Sequence, residues 1–244
     1  MGLENKKFNG IFASVLATGE ISVKCEEDEV GAVKREYEDS QTKEMKIKWE
    51  KIYTELSGLI TSIKFFEGDY GKLLQLTVDD NGSEVVLGFP TSSNFCEDLM
   101  KKLPNVDLGE LVIIKPYAFT DKVSKKLKKG VTITQDGEKI NSYFSNFIDG
   151  KSVATNGIPE PEVGKKYDTE DWKMYFMVVR KFLVNFITEN IIPVLEEVAS
   201  NKNVMLEGEE VKENNVVLAP AEEVKVSSQP PFGNGLDISD VKFD

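Results

Sequence analysis

Lys122, Lys125, Lys126, Lys128 and Lys129 fall within eight residues of a chain whose formal charge is −12. Cations at that density suit a row of phosphates, and flat aromatic faces beside them suit the bases of a single strand. Such faces are close in sequence. Lys115, Tyr117 and Phe119 alternate, so a strand would carry them on one face. Tyr70 marks the tip of the turn Gly68–Gly71, with Lys64 and Lys72 on either side of it. Each signal has a plain alternative. The lysines also fit a solvated hairpin tip, and Tyr117, Phe119 and Phe66 also fit a hydrophobic core.

The surrounding charge is uneven. Residues 101–150 hold 9 Lys against 6 Asp and Glu, whereas residues 51–100 hold 3 against 8. The basic stretch is local, and a whole-chain pI of 4.7 says little about partners.

Other chemistries are excluded by composition. The chain has no histidine, which removes Ser-His-Asp and Cys-His nucleophiles and histidine-bound zinc. Cys25 and Cys96 form no CxxC pair and read as free thiols of a reducing compartment. Neither GxxxxGK[ST] nor GxGxxG occurs. Carboxylate-held magnesium stays open, although Asp79-Asp80-Asn81-Gly82 reads as a hairpin turn. No cofactor or metal is expected, and no enzyme. Met1-Gly2-Leu3-Glu4-Asn5 is polar, Lys6 breaks a myristoylation pattern, and no apolar run approaches membrane length. A cytoplasmic protein is expected.

The elements that must position these residues are legible in the middle of the chain. Leu59–Phe66, Lys72–Val78 and Glu84–Phe89 read as a three-stranded meander turning at Gly68–Gly71 and Asp80-Asn81-Gly82. Ser93 caps a short helix with Phe95, Leu99 and Leu103 on one side, and Pro104 stops it. Glu110–Phe119 and Val131–Gln135 follow as strands, and Asp136-Gly137 turns the chain into Glu138–Phe144. Three strands, a helix and two strands is the order of an OB-fold barrel, whose ligands meet the loops between strands 1–2 and 4–5. Here those loops are Gly68–Gly71 and Thr120–Gly130, the lysine cluster.

The fold class expected is therefore mainly β with α additions (α+β): an OB-fold-like five-stranded barrel with an N-terminal β extension and a long C-terminal helix. In that extension, Val30–Tyr37 and Met45–Tyr53 pair around residues 39–42. Residues 1–148 form the binding domain, and 149–167, rich in Gly and Pro, a linker. Residues 168–202 form the helix, capped by Thr169. Its stripe of Trp172, Tyr175, Phe176, Val179, Phe182, Leu183, Phe186 and Ile187 serves either the core or self-association into a homo-oligomer. Pro193 is expected to kink or end it. Residues 203–244 lose apolar periodicity, carry excess acid and are expected to be disordered.

The residues Gly68-Asp69-Tyr70-Gly71-Lys72, Leu103-Pro104-Asn105-Val106-Asp107, Pro116-Tyr117-Ala118-Phe119 and Gly130-Val131-Thr132-Ile133-Thr134-Gln135-Asp136-Gly137 stand in one order over residues 56–147. In that order and spacing the chain resembles the single-stranded DNA-binding proteins of tailed, crAss-like bacteriophages. The resemblance implies an OB-fold and coating of single-stranded DNA during phage replication or recombination. It also implies an acidic tail that recruits replication or recombination proteins, here through Asp237, Asp240, Phe243 and Asp244. Lys242 and a final Asp244 depart from the aromatic ending of such tails. Two rivals remain: a phage structural or protein-interaction component with the barrel as scaffold, and a magnesium-dependent nuclease.

Overall fold

The computed structural model describes residues 10–39, 42–68 and 71–209, with residues 202–209 as backbone alone. It divides into residues 1–205 and 206–244. Tyr70 and the acidic tail with Asp237, Asp240, Phe243 and Asp244 lie outside the described residues, as does the disorder expected of residues 210–244, whereas residues 203–209, expected to be disordered, are helical backbone.

A mixed α+β architecture is built on one open ten-stranded sheet. Its strands are β1 (Ile11–Val15), β2 (Ile21–Lys24), β3 (Val33–Glu38), β4 (Met45–Tyr53), β5 (Leu56–Gly68), β6 (Gly71–Asp80), β7 (Ser83–Pro90), β8 (Leu111–Thr120), β9 (Leu127–Gln135) and β10 (Glu138–Lys139). They lie in the order β10-β9-β8-β5-β6-β7-β1-β2-β4-β3. A separate hairpin joins β11 (Ser145–Ile148) to β12 (Lys151–Ala154). Helix α1 (Asn94–Lys102) follows β7, and α2 (Thr169–Phe186) and α3 (Ile192–Glu209) close the described chain.

The central meander follows from period-two burial. Leu74, Leu76 and Val78 of β6 are fully buried, while Gln75 and Thr77 face outward. Asn81 and Gly82 take the positive φ values, 51° and 89°, that a tight hairpin turn requires. Ser93 caps α1 by accepting a bond of 3.1 Å from the Cys96 amide, and Phe95, Cys96, Leu99 and Met100 go into the core. Burial in that helix pushes the Cys96 thiol up to about 12, so it is a packing residue rather than a nucleophile.

The expected barrel does not close. In β5, residues Leu56–Leu59 pair with β8 and Leu59–Gly68 with β6, so this long strand bends from one partner to the other. A bulge between Ile60 and Ser62 assists the bend. Closure would need β9 beside β7, yet the free edge of β7 is taken by β1 in parallel. The Val131 edge of β9 is covered by α1 instead. Asp98 Oδ2 accepts its N–H at 2.7 Å, and Lys102 Nζ donates to its carbonyl. With both groups satisfied, the edge has no call for a further strand. The turn between β1 and β2 approaches β8 from the other side, where a Cβ on Gly19 would stand 2.6 Å from the Ala118 nitrogen.

Gly58 carries the bend of β5. Its φ is +151°, and a Cβ there would lie 2.3 Å from the Asp79 carbonyl oxygen. Gly58→Ala is expected to cost about 2–3 kcal/mol of stability through strain and backbone displacement. Urea unfolding of the two proteins measures it; equal midpoints would disprove the strain.

Four expectations change at the C-terminal side. The segment 149–167 is not a plain linker, because Asp149 and Gly150 (φ 49° and 72°) turn the β11–β12 hairpin. The anticipated strand Glu138–Phe144 shrinks to the two residues of β10, and Phe144 joins the core. Asp168, not Thr169, caps α2, accepting from the Asp171 amide at 2.8 Å in a reciprocal capping box. Pro193 does not end the helix. A π turn at Ile187–Ile191 precedes it and absorbs the lost hydrogen bond, and the helical backbone runs on to Glu209. Val179, Leu183, Ile187, Ile191 and Leu195, each four residues apart, bury against the core. Phe182 and Phe186 meet the Phe144 ring edge-on at 5.6 and 4.9 Å. Trp172 and Phe176, in the first turns, remain exposed.

Candidate nucleic-acid interface

The β8–β9 hairpin owes its two faces to strand alternation. Val112, Ile114 and Pro116 point into the core, so Leu111, Ile113, Lys115, Tyr117 and Phe119 point out. Register adds residues from β9 to that outer face: Lys115 lies opposite Thr132, Tyr117 opposite Gly130, and Phe119 opposite Lys128. Lys115, Tyr117, Phe119 and Lys128 thus form one strip. Tyr117 and Phe119 are 5.7 Å apart between ring centroids and tilted by 33°, and Phe119 is 51% exposed. Gly130 makes room for the tyrosine. A Cβ there would sit 2.5 Å from the Tyr117 hydroxyl and from Asp98 Oδ2. Half-burial, with the Asp98 carboxylate nearby, raises the Tyr117 phenol above its usual range, so the ring stays neutral.

The loop beyond the strip is short and ordered by one side chain. Residues 121–126 link the strands, so Lys128 and Lys129 belong to β9 rather than to the loop. Asp121 Oδ1 accepts from the amides of Val123 and Ser124 at 3.0 and 2.7 Å, and Asp121 Oδ2 meets Lys128 Nζ at 2.7 Å. The Lys128 ammonium, then the Ser124 bonds, hold the Asp121 carboxyl well below the usual range. Lys125 takes a positive φ of 56° within this turn. Lys122, Lys125 and Lys126 are exposed and, among the described residues, make no ion pair.

The remaining sequence candidates do not all join this strip. Lys64 is exposed and shares the outer face of the sheet, opposite Gln75, beside the 54% exposed Phe66. The Leu56↔Ile114 register sends Lys64 toward one end of β5 and the lysine hairpin toward the other. Lys72 lies on the inner face, its ammonium 5.1 Å from the Phe65 ring centroid. Lys129 is likewise inward, 5.8 Å from the Phe95 ring of α1. These two are packing residues with solvated tips. Lys115 shares its charge with Glu55 at 3.4 Å.

No family model, curated protein or solved structure matches this chain.

Among the described residues, no group of three or more His, Cys, Asp or Glu side chains is placed to hold a metal. No helix among them is long and apolar enough to cross a membrane. Phe66, which fits either a stacking face or the core by sequence, stands out in solvent, and Val123 at the hairpin tip, marked by no sequence pattern, is almost fully exposed. Cations on β2, β3 and β4, exposed or half-buried, are likewise spread over the sequence rather than clustered.

Proposed function

We propose that this chain is a non-catalytic single-stranded DNA-binding protein, coating strands with little sequence preference during phage DNA replication or recombination. Residues 56–147 are read as an OB-type unit with its closing strand pair replaced. The neighbour order β7-β6-β5-β8-β9, with α1 between β7 and β8, supports that reading. One observation carries the function: two cations and two aromatic rings share a single solvent-facing strip, with three exposed lysines just beyond it that make no ion pair among the described residues. Rings accept any base by its π face and ammoniums accept the phosphates, so no base-edge contact is needed. The expected result is that labelled oligo-dT quenches the Trp49 and Trp172 fluorescence and gains anisotropy, while duplex DNA of equal length binds far more weakly. Equal binding of both, or of neither, refutes the proposal.

In this reading the acidic residues 203–244 compete for the same cations and also recruit replication or recombination proteins. Deleting them should tighten oligo-dT binding several-fold at low salt; unchanged affinity would dismiss the competition. A second reading, a phage structural or protein-interaction component, draws support from α2. Its first turns expose Trp172, Met174, Phe176, Met177 and Val178, more apolar surface than a solvated helix needs. The same face could join two copies of the chain. Cofractionation with assembled particles, without DNA binding, would favour the structural component.

A further inference from the structure

We propose that the outer face of β2, β4 and β3 is a second phosphate-binding surface for single-stranded DNA, which rests on the function proposed above and lengthens its path. Strand register defines this face. Lys24 lies opposite Glu50, Arg35 opposite Lys48, and Tyr37 opposite Lys46. Residues directly opposite in antiparallel strands share a face, so four cations, one carboxylate and one aromatic ring stand together.

The single carboxylate organises the group. Glu50 is 3% exposed, the deepest charged side chain of these strands. Ser22 Oγ donates to its Oε1 at 2.7 Å, Lys48 Nζ meets the same oxygen at 2.5 Å, and Arg35 Nη1 reaches Oε2 at 3.5 Å. Burial opposes its charge, but the Lys48, Ser22 and Arg35 contacts outweigh burial and lower its pKa. A charged Glu50 therefore holds two longer cations at fixed positions while cancelling only one of them. Lys48 also lies 5.6 Å from the Tyr37 ring centroid. Lys46 bonds Asp39 at the adjoining turn. Lys24 and one charge of the Lys48–Arg35 pair remain for an external anion.

On the opposite face charge is balanced: Glu36 pairs with Lys34 at 2.9 Å, and Glu29, from the turn before β3, meets Lys51 at 2.6 Å. The face around Glu50 carries more cations than carboxylates in a chain of charge −12.

The surface is continuous with the rest of the sheet. One outward row crosses β5, β6, β7, β1 and β2 as Lys64, Gln75, Gly88, Ser14 and Ser22. Five strands at the usual spacing span roughly 19 Å. Lys64 is the only charge along this row, and Gly88 leaves it low. A strand passing Lys64 and Phe66 meets no carboxylate on this row before the cations of β2 and β4.

The test uses the full chain with oligo-dT of about 10 and about 30 nucleotides, bracketing the span of one such unit. Lys24→Gln with Arg35→Gln leaves Glu50 bonded to Lys48 and Ser22. The short oligonucleotide should bind the variant as it binds the parent. The long one should bind about 10-fold more weakly, with a salt slope shallower by about 1.4, as two lost phosphate contacts require. Photocrosslinking of an iodouracil-substituted long strand should place adducts on the peptide carrying Tyr37. Parent binding to both lengths with an unaltered variant, or adducts confined to Tyr117 and Phe119, overturns this proposal and leaves the hairpin interface standing. Failure of the parent to bind either length overturns the function itself.

Discussion

Raising salt from 50 to 200 mM is expected to weaken binding of oligo-dT of about 10 nucleotides, which spans the hairpin interface alone, about 50-fold, or about 2.3 kcal/mol. The figure comes from four phosphates at a slope of about −0.7 each, about −2.8 in all. Lys122, Lys125 and Lys126 supply three, because they make no ion pair among the described residues. Lys115 and Lys128 together supply about one more, since Glu55 and Asp121 already hold part of their charge. Lys122→Gln, Lys125→Gln and Lys126→Gln in one chain should therefore flatten the slope to about −0.7. The hairpin should survive this change, because its loop is held by Asp121 and Ser124 rather than by lysines. Anisotropy titrations at four salt concentrations check both numbers. A parent slope near zero would mean that the lysines decorate a solvated turn.

Local chemistry made much of this molecule legible from sequence. Asn81-Gly82 and Asp136-Gly137 each take the positive φ pair that a tight turn needs, and the alternation of Leu74, Leu76 and Val78 names the inward face. Asp149-Gly150 obeys the same rule with φ 49° and 72°, but the strands on either side are only four residues long, too short for alternation to distinguish them from a linker. Neighbour choice was not legible. Periodicity says which face of a strand is buried, not which strand lies beside it. The pairing of Ile11–Ser14 with Val85–Gly88 is decided by tertiary fit across some seventy residues. Barrel closure failed for a related reason. Whether β9 needs a partner depends on Asp98 and Lys102, which a helix happens to bring to Val131.

The candidate site divides along the same line. Alternation correctly grouped Lys115, Tyr117 and Phe119, because three residues of one strand carry their own parity. The same parity sorts Lys72 with Leu74 and Leu76, and Lys129 with Val131 and Ile133, but only once Lys128 and Lys129 belong to β9 rather than to the loop. Alternation could not find the cations around Glu50. Lys24, Arg35 and Lys48 come from three strands and assemble only through pairing.

Phe119→Ala should carry a different signature from the lysine changes. Phe119 is half-exposed, touches Tyr117 and lies opposite Lys128, so its removal leaves no buried cavity. Loss of one stacked base is worth about 1–3 kcal/mol, which weakens binding about 5- to 150-fold. Stacking involves no counterion, so the salt slope should remain at its parent value while the whole line shifts down. Phe119→Leu, similar in burial but not flat, should behave like the alanine variant, whereas Phe119→Trp should restore binding. Tyr117→Phe should be neutral, because the hydroxyl faces Asp98 and Gly130 rather than solvent. A shallower slope in Phe119→Ala would mean that the ring acts by positioning Lys128. Unchanged affinity would leave the strip without a base-binding role.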